Sequence, residues 1–229
     1  MQKIYEIKNI SKSYTNKLNE KLLVLDDISF DIYSNDFIAI VGSSGSGKST
    51  LLNILATIDD ADSGELTYYN DANQVNLNTL NDKLLSKHRN SEFGFVFQFH
   101  YLLPEFNALE NVMMPAIIGG VSKSKAEDLA KELLEKVDMQ HRLKHKPDEL
   151  SGGEQQRIAI ARSLINKPKI VFADEPTGNL DEYNSKLVLD LLVKLQEEEK
   201  LTIITATHSK EIAENSKKIL NLKNKKLVV

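Results

Sequence analysis

The chain has 229 residues, 41% hydrophobic and 27% charged, enough for one large or two small domains with a buried core. The net charge of −4 excludes a domain-wide basic footprint for nucleic acid, and the absence of cysteine excludes disulfides and thiolate metal sites. No run approaches the roughly 20 consecutive apolar residues of a membrane-crossing helix, and Met1–Glu6 reads as a charged strand and not as an export signal, which makes the cytoplasm the expected compartment.

In chain order, Ile4–Ile10, Leu22–Ile32 and Glu65–Tyr69 predict antiparallel strands. Phe37–Val41, Phe93–Phe97, Ile170–Ala173 and Thr202–Ala206 are short apolar runs, the pattern of strands covered on both faces. Helical patterns follow at Lys48–Thr57, Ala108–Ile118, Ser124–Val137, Gly153–Ile165 and Ser185–Glu198. This alternation predicts an α/β fold with a largely parallel central sheet. Asn70–Lys83 is polar and Asn-rich, and reads as a surface loop. The predicted organisation is a single domain, 1–229. An α/β core with an antiparallel β subdomain takes 1–98 and 168–229, and a helical subdomain, 99–167, is inserted in it. Lys217, Lys218, Lys223, Lys225 and Lys226 make the last stretch basic, either as a solvated edge or as a contact for anionic lipid.

Gly42-Ser43-Ser44-Gly45-Ser46-Gly47-Lys48-Ser49 fits G-x-x-x-x-G-K-[ST] in full, between an apolar strand and a helical run. Its glycines let the backbone curl so that successive N–H groups converge on phosphate oxygens, and the following helix adds its positive end. Lys48 is expected on the β- and γ-phosphates and the Ser49 hydroxyl on Mg²⁺, with Thr50 next in the helix. The fold class is then a P-loop NTPase core. A second half of the chemistry is expected at Asp174 and Glu175, which end the apolar strand Ile170–Ala173. Asp174 can hold Mg²⁺ through water and Glu175 can activate the attacking water as general base.

Leu150-Ser151-Gly152-Gly153-Glu154-Gln155-Gln156-Arg157 resembles the signature motif of the ABC ATPase family, with Glu154 where many members have Gln. Two adjacent glycines at a helix start make sense if that start must approach a phosphate closely. The resemblance implies that Ser151, Gly152 and Gly153 contact ATP held by a second copy of the chain. It also marks Gln98 as the glutamine that senses Mg²⁺ and the attacking water, and His208 as the γ-phosphate switch. Asn179-Leu180-Asp181 resembles the loop that crosses the dimer interface, and Tyr14, between the first two strands, matches the aromatic that stacks on adenine. Stacking reads a π-face, so GTP should be tolerated. The resemblance spans Tyr14 to His208 in order.

Phe97–Pro115 and Asp174–Asp181 are similar to the ABC group that includes LolD, MacB and FtsE, with His100-Tyr101 where LolD often has two histidines. The resemblance implies an ATPase subunit, with ATP and Mg²⁺ as cofactors, working as a homodimer on the cytoplasmic face of the inner membrane. Its other partners would be membrane-spanning permease subunits docked on Phe99–Pro115, with no nucleic acid. Lipoprotein release is the expected task. A regulatory ATPase like FtsE or a MacB-type efflux motor is the alternative. The large apolar residues Phe97, Phe99, Leu102, Leu103 and Phe106 suit a groove for a short helix, or ordinary core.

Overall fold

The computed structural model describes residues 2–17, 19–70 and 73–228, which leaves Met1 and part of the expected polar loop, 71–72, outside it. Two compact units divide the chain, Met1–Ser86 with Thr202–Val229, and Lys87–Leu201.

In the first unit, β1 (Lys3–Thr15), β2 (Lys21–Tyr33), β4 (Ser63–Tyr69) and β5 (Gln74–Asn76) form an antiparallel sheet in the order β2-β1-β4-β5. Alternation of apolar and polar residues puts Tyr5, Ile7, Ile10, Leu25, Ile28 and Ile32 in the core. The first two strands run longer than their alternation predicts, because they twist through bulges between Ile7 and Lys12 that interrupt the pattern. Asn9 (φ 52) and Asp27 (φ 53) take the left-handed conformation in their strands, which short polar side chains tolerate, and Asn9 Nδ2 donates to Asp27 Oδ1 at 2.6 Å. Tyr14, expected between the first two strands, therefore lies within β1, opposite Leu22.

The same unit carries β3 (Phe37–Val41), β8 (Thr202–Ala206), β9 (Lys218–Lys223) and β10 (Lys226–Val228). β3 lies between β9 and β8, parallel to both, and β10 closes antiparallel on β9. Phe37, Ile38, Ala39 and Ile40 are buried, as a continuous apolar run in a parallel sheet requires. α1 (Lys48–Leu55) leaves β3 through the glycine loop, and the short α7 (Lys210–Asn215) follows β8. The basic C-terminal stretch is a strand edge. Lys217 Nζ donates to Asn35 O, Lys218 Nζ to Asp31 O, and Lys226 pairs with Asp26 at 3.2 Å.

The expected loop Asn70–Lys83 is corrected. It contains β5, a 3-10 turn at Leu77–Thr79 and the start of α2 (Asp82–Glu92). No residue of α2 is buried, so no apolar stripe marks it in the sequence.

The second unit pairs β6 (Phe93–Val96) with β7 (Ile170–Asp174) in parallel. Helices α3 (Ala108–Ile118), α4 (Lys123–Lys136), α5 (Gly152–Leu164) and α6 (Glu182–Glu198) belong to the same unit, with 3-10 turns at Gln140–Arg142 and Pro147–Glu149. α4 buries Ala126, Ala130 and Leu134, one narrow stripe at four-residue spacing that suits close helix packing. α6 starts three residues before its apolar pattern, because Asp181 caps it by accepting from the Asn184 N–H.

Asn111 of α3 is fully buried and ties the preceding loop to the helix. Its Oδ1 accepts from Leu103 N at 2.7 Å, and its Nδ2 donates to the carbonyls of Leu103, Phe106 and Asn107. Asn111→Ala takes the side-chain partner from Leu103 N and Phe106 O, while the carbonyls of Leu103 and Asn107 keep bonds from Phe106 N and Asn111 N. A loss of about 3 kcal/mol is expected, from the 1–3 kcal/mol that each unsatisfied buried group costs. It is read as a lower urea midpoint.

Candidate functional site

The glycine loop occupies the carboxyl end of β3, where an open α/β sheet places its ligands. Gly47 closes the loop at φ 101, and a Cβ there would stand 2.9 Å from Val24, so backbone conformation and packing both demand glycine. Lys48 is the first residue of α1 and is buried, with Nζ donating to the carbonyls of Gly42 and Ser43 at 3.1 and 3.4 Å. Ser43, Ser44, Gly45 and Ser49 are exposed. Ser46 Oγ is buried with no hydrogen-bond partner. An orphaned hydroxyl and a lysine resting on loop carbonyls fit a polyphosphate, which supplies acceptors to both. His208 is exposed just past β8, the neighbour of β3, so it and the loop stand at the same end of adjacent parallel strands.

Tyr14 is 42% exposed, and its hydroxyl is fixed by side-chain bonds to Asp59, at 2.6 Å, and to Thr50. Lys12, buried in β1, lies 5.0 Å over the Tyr14 ring and donates to Asp59 Oδ1 at 2.8 Å and to Asp60 O. Burial disfavours the Asp59 charge, yet the bonds from Lys12 and Tyr14 outweigh it and hold the carboxyl below its ordinary range. Burial likewise opposes the Lys12 charge, and Asp59 reverses the balance to raise it. Burial and the bond to Asp59 both raise the Tyr14 phenol. Lys12 and Asp59 escape sequence reading. A lysine in a strand and an acid after a helix become a pair only when β1 passes the end of α1.

In the second unit, Asp174 ends β7 and Gln98 follows β6, so both stand at the carboxyl end of adjacent parallel strands. Glu175 is a non-glycine residue at φ 44, a strained conformation costing of order 1–3 kcal/mol of the kind that collects at functional sites. Gln98 Nε2 donates to Asn179 Oδ1 at 3.0 Å, and Asn179 Nδ2 returns a bond to Gln98 O at 3.1 Å. A Cβ on Gly178 would meet Gln98 Nε2 at 3.0 Å and Glu175 Cβ at 3.3 Å. Gln98, Glu175 and the 178–179 turn are thus one cluster.

Ser151 caps α5. Its Oγ accepts from Glu154 N, and Glu154 Oε2 accepts from Ser151 N at 2.8 Å, a complete capping box. Ser151 and Gly152 are exposed at the helix start, while Gly153 is buried. Packing alone already demands a glycine at 153. A Cβ on Gly153 would stand 2.2 Å from Asn184 Oδ1, and that amide is held by Asp181 Oδ2 at 2.8 Å. Asp181 serves the cap of α6, and the bonds from the Asn184 backbone and side chain lower its carboxyl. Among the described residues no three His, Cys, Asp or Glu side chains group to hold a metal. Mg²⁺ is ordinarily bound through one or two protein oxygens plus phosphate and water, and the hydroxyl of Ser49, the amide oxygen of Gln98 and the carboxylate of Asp174 are donors of that kind.

The segment after Gln98 begins with a strained turn. His100 (φ 55) and Tyr101 (φ 46) are both left-handed, and Arg162 of α5 donates to their two carbonyls at 2.5 and 2.6 Å. Burial lowers the Arg162 guanidinium to about 10 and depresses His100. Phe99 (65%), Tyr101 (62%) and Leu103 (39%) are exposed, whereas Leu102 is half-buried.

The ABC transporter family model matches residues 25–178, and the chain belongs to that family. Among curated proteins it is similar to "Lipoprotein-releasing system ATP-binding protein LolD" of Wigglesworthia glossinidia brevipalpis, at 48% identity over 98% of this chain and 96% of that protein. The protein of the same name from Treponema denticola is 47% identical over 90% of this chain and 89% of its own length. Among solved structures, the dimeric post-hydrolysis state of the ATP-binding cassette MJ0796 bound to ADP and Pi matches with a TM-score of 0.88 at 37% identity, covering 99% of this chain and 97% of that one.

Asp59→Asn removes the carboxylate shared by Lys12 and Tyr14. A loss of about 1–2 kcal/mol is expected, the upper part of the charged hydrogen-bond range being discounted for partial exposure. The Asp59 value is depressed on folding, so its contribution is present above the unfolded value and lost as pH falls through the folded one. Lys12 is raised, so its part persists until pH rises past its ordinary range. The wild-type urea midpoint should thus exceed that of Asp59→Asn steadily from about pH 6 to pH 9 and converge with it below about pH 4.

Proposed function

We propose that the chain is the ATP-hydrolysing subunit of an ABC transporter of the lipoprotein-releasing type. It acts as a head-to-tail homodimer beneath membrane-spanning permease subunits, at the cytoplasmic face of the inner membrane. The observation that carries this is the phosphate loop on β3 in a chain that is 48% identical over nearly its full length to a LolD protein. Among the described residues no helix is long and apolar enough to cross a membrane.

In this reading the N–H groups of Gly42–Thr50 and the Lys48 ammonium bind the polyphosphate, and Tyr14 stacks on the base. Ser49, Gln98 and Asp174 would hold Mg²⁺, which would supply positive charge against the phosphates. Glu175 takes a proton from water as the water oxygen attacks the γ-phosphorus, and the bond to the β-phosphate oxygen breaks to leave ADP and phosphate. Gln98 orients that water and His208 donates to the γ-phosphate. Ser151, Gly152 and Gly153 offer the start of α5 to the γ-phosphate of ATP on the other copy, with Asp181 at the shared interface. Phe99–Pro115, within a helical subdomain of 99–167, docks the permease.

Glu175→Gln should keep ATP affinity and lower turnover by at least the ~10²-fold typical of losing a general base. With ATP it should elute from size-exclusion chromatography as a dimer. Turnover near wild type would remove Glu175 from this role. Tyr101→Glu, at an exposed position, should leave ATPase of the isolated subunit within a few-fold and weaken copurification with the permease. Undisturbed copurification would put the docking surface elsewhere.

A further inference from the structure

Glu154 stands where many ABC ATPases carry glutamine, and its carboxylate sits on the first turn of α5, the turn that is to meet a phosphate. Placed there, a negative charge favours the helix itself but repels an incoming anion. The cap does not need the charge, since glutamine completes a capping box equally well. The structure supplies the missing cation. Arg142, in the 3-10 turn Gln140–Arg142, donates from Nε to Glu154 Oε1 at 2.8 Å while Oε2 accepts from Ser151 N. The arginine is itself oriented, its Nη1 donating to His145 Nε2 at 3.2 Å. The pair is only partly exposed, 35% for the Arg142 side chain and 15% for Glu154, so solvent screens it incompletely. Burial works against the Glu154 charge, and the bonds from Ser151 and Arg142 overcome it, so the carboxyl stays ionised.

We propose that Arg142 is a positioning residue of the hydrolytic cycle: it neutralises Glu154 on the first turn of α5 and so lets that helix start accept the γ-phosphate of ATP bound to a second copy of the chain. This rests on the shared-site reading of Ser151–Gly153, and the test separates the two.

All variants are made in the Glu175→Gln background, and the ATP concentration giving half dimer is measured by size-exclusion chromatography at low and at high salt. Arg142→Gln leaves an uncompensated carboxylate and should raise that concentration roughly tenfold at low salt, as a charge several ångströms from a phosphate in a partly screened setting does. High salt should shrink the rise to about twofold. Adding Glu154→Gln to Arg142→Gln should restore the parent value within about twofold, since only charge distinguishes the two caps. Arg142→Lys keeps the cation and should stay within about threefold of the parent. If the double variant is no better than Arg142→Gln, if salt makes no difference, or if Arg142→Gln dimerises like the parent, the proposal is overturned. Ser151→Arg is the control. If it still dimerises at the parent's ATP concentration, the shared-site reading fails. If it blocks dimerisation while Arg142→Gln does not weaken it, only the role of Arg142 fails.

Discussion

A phosphate held by backbone N–H groups needs those groups to converge, and convergence needs a chain that is stiff on both sides of the bend. β3 supplies one side. Its residues Phe37–Ile40 are buried between β8 and β9, so the strand has little freedom to shift where the loop begins. α1 supplies the other, starting at Lys48 from a glycine that takes a conformation other residues resist. Much of the first unit serves this bend. The bulged sheet carries Tyr14 alongside, and the Lys12–Asp59 pair fixes its hydroxyl to the region just past α1.

The second unit repeats the logic with acids in place of N–H groups. β6 and β7 run parallel and bring Gln98, Asp174 and Glu175 to their carboxyl ends. Asn179 binds Gln98 through both ends of its amide. Those two bonds tie the start of the Phe99 segment directly to the turn preceding α6. Arg162 donates to both carbonyls of the strained turn at His100–Tyr101 and so ties it to α5.

Most of this frame is legible in the sequence because its determinants are local. Apolar runs mark β3, β6, β7 and β8, and the glycine spacing marks the loop between β3 and α1. What escapes is whatever depends on distant partners. α2 is invisible because it buries nothing. β9 and β10 hide in a lysine-rich stretch, where only Leu220 and Leu222 face the core. Tyr14 is misplaced by a few residues because bulges break the alternation that locates strand ends. Lys12, Asp59 and Arg142 carry no motif at all, since their meaning lies in pairs brought together across 47 and 12 residues of chain.

The packing of Gly153 against Asn184 makes the side chain allowed at one position depend on the other. Asp181 pins that amide, so it cannot swing aside to admit a methyl group at 153. A methyl group at 153 therefore needs a smaller residue at 184 or the loss of the bond that holds its amide. The two positions are thus sterically coupled although 31 residues separate them.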